Sequence, residues 1–257
     1  MDRKPVARIL IANDHKLLAE ACKKLLEPEF AIVGIVTDGR ALVQAATELK
    51  PDAAIIDVSM PVLNGLDAAE QVKHRLPSVK LVFLSMSADP GIAAEAFRRG
   101  ASGYVLKYSG AEEFVTAIRR VVRGESYLSP LIARETLTYL LRQPQQEKEE
   151  KQITGRQSEI LQLLAEGQSM KQIAGVLDVS PGTVAFHKYN MMEKLGITTN
   201  AGLLLYAIKH HMVAGYENGA ISGSAVIQIQ EEQASRGSGL SKSELLDLGI
   251  ASGRMTA

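Results

Sequence analysis

Between Ala7 and Arg123 the chain alternates short apolar runs with longer segments of helical period, five times over, and no other feature restricts its fold so tightly. The apolar runs lie near residues 7–12, 31–36, 53–58, 80–85 and 103–106, and the helical segments near 16–27, 39–49, 65–76, 90–99 and 110–123. A short unbroken apolar run is how a strand reads when helices cover both of its faces. Strands joined through helices become parallel neighbours with right-handed crossovers, so the spacing predicts an α/β doubly wound domain with a five-stranded parallel sheet. Punctuation agrees: Gly100 follows Phe97-Arg98-Arg99 as a helix stop, and Pro28, Pro51 and Pro77 mark helix exits.

Doubly wound sheets place their chemistry at the carboxyl ends of the strands. One such end is Ala53-Ala54-Ile55-Ile56-Asp57, which runs into Val58-Ser59-Met60-Pro61. A lone strand-end aspartate often only caps the following turn. Here Asn13-Asp14 follows Ile9-Leu10-Ile11, Ser85 follows Leu81-Val82-Phe83-Leu84, and Lys107 follows Tyr104-Val105-Leu106. Acid, acid, hydroxyl and ammonium together suit a phosphorylated carboxylate. Two carboxylates hold the hard cation Mg2+, while an ammonium and a hydroxyl neutralise and grip phosphoryl oxygens, with Asp57 as the nucleophile.

These motifs, Asn13-Asp14-His15, Pro51-Asp52 with Asp57, Met60-Pro61 and Gly65, then Ser85, and Gly100-Ala101 with Gly103-Tyr104 and Lys107, resemble a receiver domain. The whole chain is similar to a two-component response regulator of the NarL/FixJ type, a flavodoxin-like receiver followed by a LuxR-type helix-turn-helix. The resemblance implies that Asp57 accepts a phosphoryl group from a sensor histidine kinase. It implies that Asp14, Asp57 and the Ser59 carbonyl hold Mg2+, and that Ser85, Tyr104 and Lys107 form the switch. Tyr104 on its own reads equally as a packing tyrosine, and the resemblance assigns it to the switch. His15 is given no role.

One position departs from the family. Asn13 stands where an acid is usual, so the site has one charge fewer and Mg2+ is expected to bind more weakly, the amide oxygen orienting a metal-bound water. That change keeps a second reading open, a receiver that regulates through a protein partner independently of phosphorylation. Phosphatases of the haloacid-dehalogenase type also use a strand-end aspartate, but within Asp-x-Asp. Ser59 fills the second position here, leaving no general acid, so no enzyme is expected.

At 257 residues with 46% apolar and 23% charged residues, the chain has room for two modest soluble domains. Lys+Arg and Asp+Glu each number 29, so no overall basic field points to nucleic acid and any such reading must be local. The single cysteine, Cys22, falls in the apolar pattern of Leu17-Leu18 and Leu25-Leu26 and reads as a buried structural thiol. The amino terminus lacks a signal-peptide core and no run approaches the roughly 20 apolar residues of a membrane span, so a cytoplasmic protein without membrane association is expected.

The predicted boundaries are 1–124 for the receiver, 125–152 for a helix and a charged linker, 153–214 for the helix-turn-helix, and 215–257 for a disordered tail rich in Gly and Ser. In the third segment Ser180 and Pro181 start a helix that Gly196 stops. Val184, Met191 and Leu195 share its inner face, which turns Ala185, Phe186, Tyr189 and Met192 outward. Apolar groups there suit thymine methyls, and Ser180, Thr183, His187, Lys188 and Lys194 suit phosphates. The alternative is that Phe186 and Tyr189 cover the receiver or a dimer partner. Residues 153–214 carry five Lys/Arg against four Asp/Glu, so each copy should bind DNA weakly and gain from acting as a homodimer on promoter DNA. Resemblance to LuxR-type domains covers most of this segment and implies that this helix enters the major groove and the next pairs monomers. Ala185 replaces a basic residue common in the family, and Gly155 and Gln157 replace proline or glutamate.

Overall fold

A computed structural model describes residues 6–142, 153–210 and 212. The linker residues 143–152 and the tail 215–257, whose disorder the sequence predicts, lie outside the described residues. The chain divides into two compact units at the junction of Gln152 and Ile153.

The first unit runs β1 (Arg8–Ala12), α1 (Lys16–Leu26), β2 (Ala31–Val36), α2 (Gly39–Leu49), β3 (Ala53–Asp57), α3 (Gly65–Arg75), β4 (Lys80–Ser85), α4 (Pro90–Arg98), β5 (Gly103–Leu106) and α5 (Ala111–Val122). It then adds β6 (Tyr127–Leu128) and α6 (Pro130–Arg142). All strand pairings are parallel, in the order β2-β1-β3-β4-β5-β6. The expected five-stranded sheet is therefore six-stranded. The sixth strand is only two residues long and begins where the sequence reads as a turn, because two residues are too few to show a period.

Alternate side chains of each strand enter opposite layers. Ile9, Ile11, Ala53, Ile55, Val82 and Leu84 pack with α1 and α5 through Cys22, Leu26, Phe114 and Ile118. Leu10, Ala54, Ile56, Leu81, Phe83 and Tyr104 pack with α2, α3 and α4 on the other face. Both faces are covered, which is why the strands are apolar throughout. Cys22 sits within the first layer as expected, and burial pushes its thiol up to about 11.

The neighbouring strands β1 and β3 send their chains to helices in opposite layers, α1 and α3, which opens a crevice between their carboxyl ends. The loop after β3 is tightly drawn. Val62 has φ of 69° and the Leu63 amide donates to the Pro61 carbonyl at 2.7 Å, a γ-turn that a β-branched residue adopts only under strain. Gly65 then lets α3 approach the strand end, since a Cβ there would lie 2.0 Å from the Asp57 carbonyl oxygen.

The second unit holds α7 (Gly155–Ala165), α8 (Met170–Leu177), α9 (Pro181–Leu195) and α10 (Asn200–Lys209). Thr154 with Gln157 and Ser169 with Gln172 form capping boxes that start α7 and α8. Leu161, Met191, Leu203, Ala207 and Ile208 form its core.

Gly65→Ala is expected to cost about 1–3 kcal/mol of stability, because the strand and the helix must separate to admit a methyl group. Urea denaturation of the variant beside the wild type checks this.

Candidate functional site

The crevice collects the predicted residues. Asp57, last residue of β3, is fully buried, and its Oδ2 accepts a hydrogen bond from Lys107 Nζ at 2.7 Å. Its Oδ1 accepts from the Ser59 amide at 3.2 Å. Burial pushes the Asp57 carboxyl above its ordinary range, the Lys107 charge and hydrogen bond pull it back, and nearby Asp14 adds to the rise. Lys107 follows β5, whose pairing with β4 brings it beside Ser85; the Lys107 amide donates to the Ser85 carbonyl at 2.8 Å.

Ser85 is buried, and its Oγ accepts from the Ser87 amide at 3.0 Å. Tyr104 is fully buried within β5, and its hydroxyl donates to the Ser87 carbonyl at 3.0 Å. The three residues expected to form a switch thus lie on the paired strands β4 and β5 and just beyond β5, with Ser85 directly after the Leu84 that pairs with Asp57.

Asp14, His15 and Asp57 each bring one ligand atom to within 4.8 Å of the others, a group able to hold a metal ion. His15, to which the sequence assigns no function, hydrogen-bonds Asp14 Oδ1 through Nδ1 at 2.8 Å. Its place directly after Asp14 was the available signal. Asn13 is buried, its Oδ1 accepts from the His15 amide at 2.8 Å, and its Nδ2 has no hydrogen-bond partner among the described residues. Ser129 is a residue that sequence reasoning passed over. It is buried, accepts from the Leu106 amide at 3.1 Å, and donates to Glu113 Oε1 at 2.5 Å. Its position immediately before Pro130 is the signature of a helix cap.

In the second unit α8 and α9 are joined by a short turn in which Asp178 takes a left-handed φ of 52°. Ser180 Oγ accepts from the Thr183 amide at 3.1 Å and lies 2.9 Å from Thr183 Oγ1, so both hydroxyls already serve the cap. Val184 and Met191 face inward as expected. Phe186 and Tyr189 are 62% and 60% exposed, and Lys194 is exposed, while Ala185 and His187 are half-buried. Two placements differ from expectation. Lys188 is only 7% exposed, its ammonium 5.9 Å from the Tyr189 ring centroid. Met192 is half-buried and packs on the core of this unit.

Among the described residues no helix is long and apolar enough to cross a membrane. Residues 9–119 match the response regulator receiver domain, and residues 151–207 match the bacterial regulatory proteins of the luxR family. Similar proteins include the response regulator GacA of Pseudomonas aeruginosa, 31% identical over 208 residues that cover 80% of this chain and 97% of the relative. The transcriptional regulatory protein MctR of Rhizobium johnstonii is 32% identical, covering 83% of this chain and 99% of the relative. Among solved structures, a LuxR-family two-component response regulator from Aurantimonas sp. is similar, with a TM-score of 0.51 at 30% identity over 53% of this chain and 99% of that one. The chain belongs to the response regulator family, with a receiver domain in front of a LuxR-type DNA-binding domain.

Proposed function

We propose that Asp57 accepts a phosphoryl group from a sensor histidine kinase and thereby controls dimerisation and sequence-specific DNA binding. The observation that carries this reading is the pairing of a fully buried carboxylate with Lys107 at 2.7 Å, at the mouth of a crevice that also holds Asp14 and Ser85. An Asp57 oxygen attacks phosphorus, the phosphorus–nitrogen bond to the kinase histidine breaks, and the imidazole takes up a proton as it leaves. Lys107 and the Ser85 hydroxyl then bind the new phosphoryl oxygens.

Asp14, Asp57 and the Ser59 carbonyl are the residues that would hold Mg2+, a set of oxygen donors suited to a hard cation. When bound, Mg2+ neutralises charge on the transferred group. The buried Asn13 amide nitrogen, which lacks a hydrogen-bond partner among the described residues, fits a site whose remaining ligands are waters, since an unpaired buried donor is costly. Tyr104 and Ser87 couple the site to α4.

A second reading has its own observation. Asn13 contributes no charge and its oxygen is committed to the His15 amide, which weakens the metal site and favours a receiver that works through protein contacts without phosphorylation. The two separate cleanly. With a small-molecule phosphodonor and Mg2+, the wild type is expected to incorporate one phosphoryl group by intact mass, and Asp57→Ala and EDTA-treated protein none. Absence of label in the wild type at saturating Mg2+ selects the second reading.

For the second unit we propose that α9 reads promoter DNA, Tyr189, Phe186 and Ala185 meeting base edges and Lys194 a phosphate. Ser180 and Thr183 position the helix start, and His187 and Lys188 support the surface from behind. Tyr189→Ala should weaken specific binding by about 1–3 kcal/mol with the salt slope intact, as for a lost base contact. Lys194→Ala should instead reduce the slope of log affinity against log salt by about 1. Filter-binding titrations on selected duplexes at several salt concentrations distinguish the two. A salt-insensitive interaction would identify the exposed aromatics as a protein-docking surface.

A further inference from the structure

The segment after α5 is tied to two separate parts of the phosphoacceptor region. On one side β6 extends the sheet along β5. The Tyr127 amide donates to the Ser102 carbonyl and the Ser129 amide to the Tyr104 carbonyl, each at 3.0 Å. Buried Ser129 adds its bonds to the Leu106 amide and Glu113. On the other side α6 lies against α4. A Cβ on Gly91 would meet the Tyr139 ring at 3.4 Å, the Arg98 guanidinium sits 6.0 Å from the same ring, and Ile132 joins the core cluster that contains Ile92, Ala93 and Ala96.

Each anchor leads to a different side of Asp57. Strand β5 continues into Lys107, which holds the carboxylate. Helix α4 is capped by Asp89, whose side chain accepts from the Gly91 amide at 2.7 Å, two residues beyond the Ser87 that binds both Ser85 and the Tyr104 hydroxyl. We infer that β6 and α6 form a strap anchored to β5 and to α4, and that phosphorylation of Asp57 detaches its α6 end. The inference rests on the phosphoacceptor reading above and adds the element through which the site acts.

The mechanics follow from the geometry. Recruiting the Ser85 hydroxyl to a phosphoryl oxygen draws Ser87 and the start of α4 towards Asp57, while Lys107 keeps the end of β5 in place. Only Ser129 separates β6 from α6, so the strap cannot follow both anchors. The β6 anchor consists of backbone ladder bonds and a buried serine. The far end of α6 is held where Tyr139 meets Gly91 and Arg98, and among the described residues α6 also buries the Thr136 hydroxyl with no hydrogen-bond partner. Detachment returns that hydroxyl to water, so the α6 end yields first. Release frees the carboxyl-terminal end of α6, the last element of the first unit.

Hydrogen exchange on the full-length protein, with and without beryllofluoride and Mg2+, tests this. Amides 135–142 are expected to exchange on the order of tenfold faster with beryllofluoride, those of 127–132 to stay unchanged, and those of 53–60 to slow as the site fills. Coupling is reciprocal, so Tyr139→Ala, which loosens the α6 end without touching the site, is expected to bind beryllofluoride several-fold tighter. Slowing at 53–60 with no change at 135–142, or unaltered affinity in Tyr139→Ala, overturns the strap while leaving Asp57 as the acceptor. No change at either segment overturns the phosphoacceptor reading and the strap with it.

Discussion

A carboxylate with no solvent exposure, held by one ammonium, is the contact on which the first unit turns. Taking Asp57 out of water is unfavourable, and Lys107, itself nearly buried, compensates only while it stays 2.7 Å away. Several features exist to keep the two together. Parallel pairing through β4 sets β3 and β5 in register, Gly65 seats α3 on the strand end, and Ser59 supplies a second donor. The proposed phosphoryl transfer uses the same pair, because the added oxygens would offer that cation a larger negative partner.

The same economy explains why β5 is central. It bears Tyr104, leads into Lys107, pairs with the edge strand β6 and bonds Ser129, so one strand connects both to the acid and to the segment that follows α5. A displacement at the acid therefore reaches the edge of the sheet through covalent and hydrogen-bonded neighbours. The DNA-binding unit works differently. With Lys188 nearly buried and Phe186 and Tyr189 more than half exposed, the exposed face of α9 is more aromatic than cationic, which is the surface on which the proposed base contacts rest.

Much of this was legible in the sequence, and for identifiable reasons. Parallel strands buried on both faces leave unbroken apolar runs, so Asp57, Asp14, Ser85 and Lys107 could be placed at strand ends before any coordinates. Caps behaved the same way: Ser180-Pro181 and Gly196 start and stop α9 as their backbone chemistry requires. What stayed hidden depends on long-range contact. β6 is too short to show a period, and its partner lies more than twenty residues earlier. Ser129 looks like an ordinary cap until the Leu106 amide is beside it. Lys188 reads as a surface cation because the sequence does not disclose which neighbours cover its stem. His15 has no assignable role from its sequence neighbours, and only the fold brings it and Asp14 to Asp57.

The central claim is that one phosphoryl group on Asp57 changes the state of the whole chain. Sedimentation velocity of the full-length protein with a small-molecule phosphodonor and Mg2+, beside Asp57→Ala under the same conditions, addresses it most directly. The account predicts a shift from monomer to dimer in the wild type alone. A wild type that labels fully yet sediments unchanged, or an Asp57→Ala protein that dimerises equally, would contradict it.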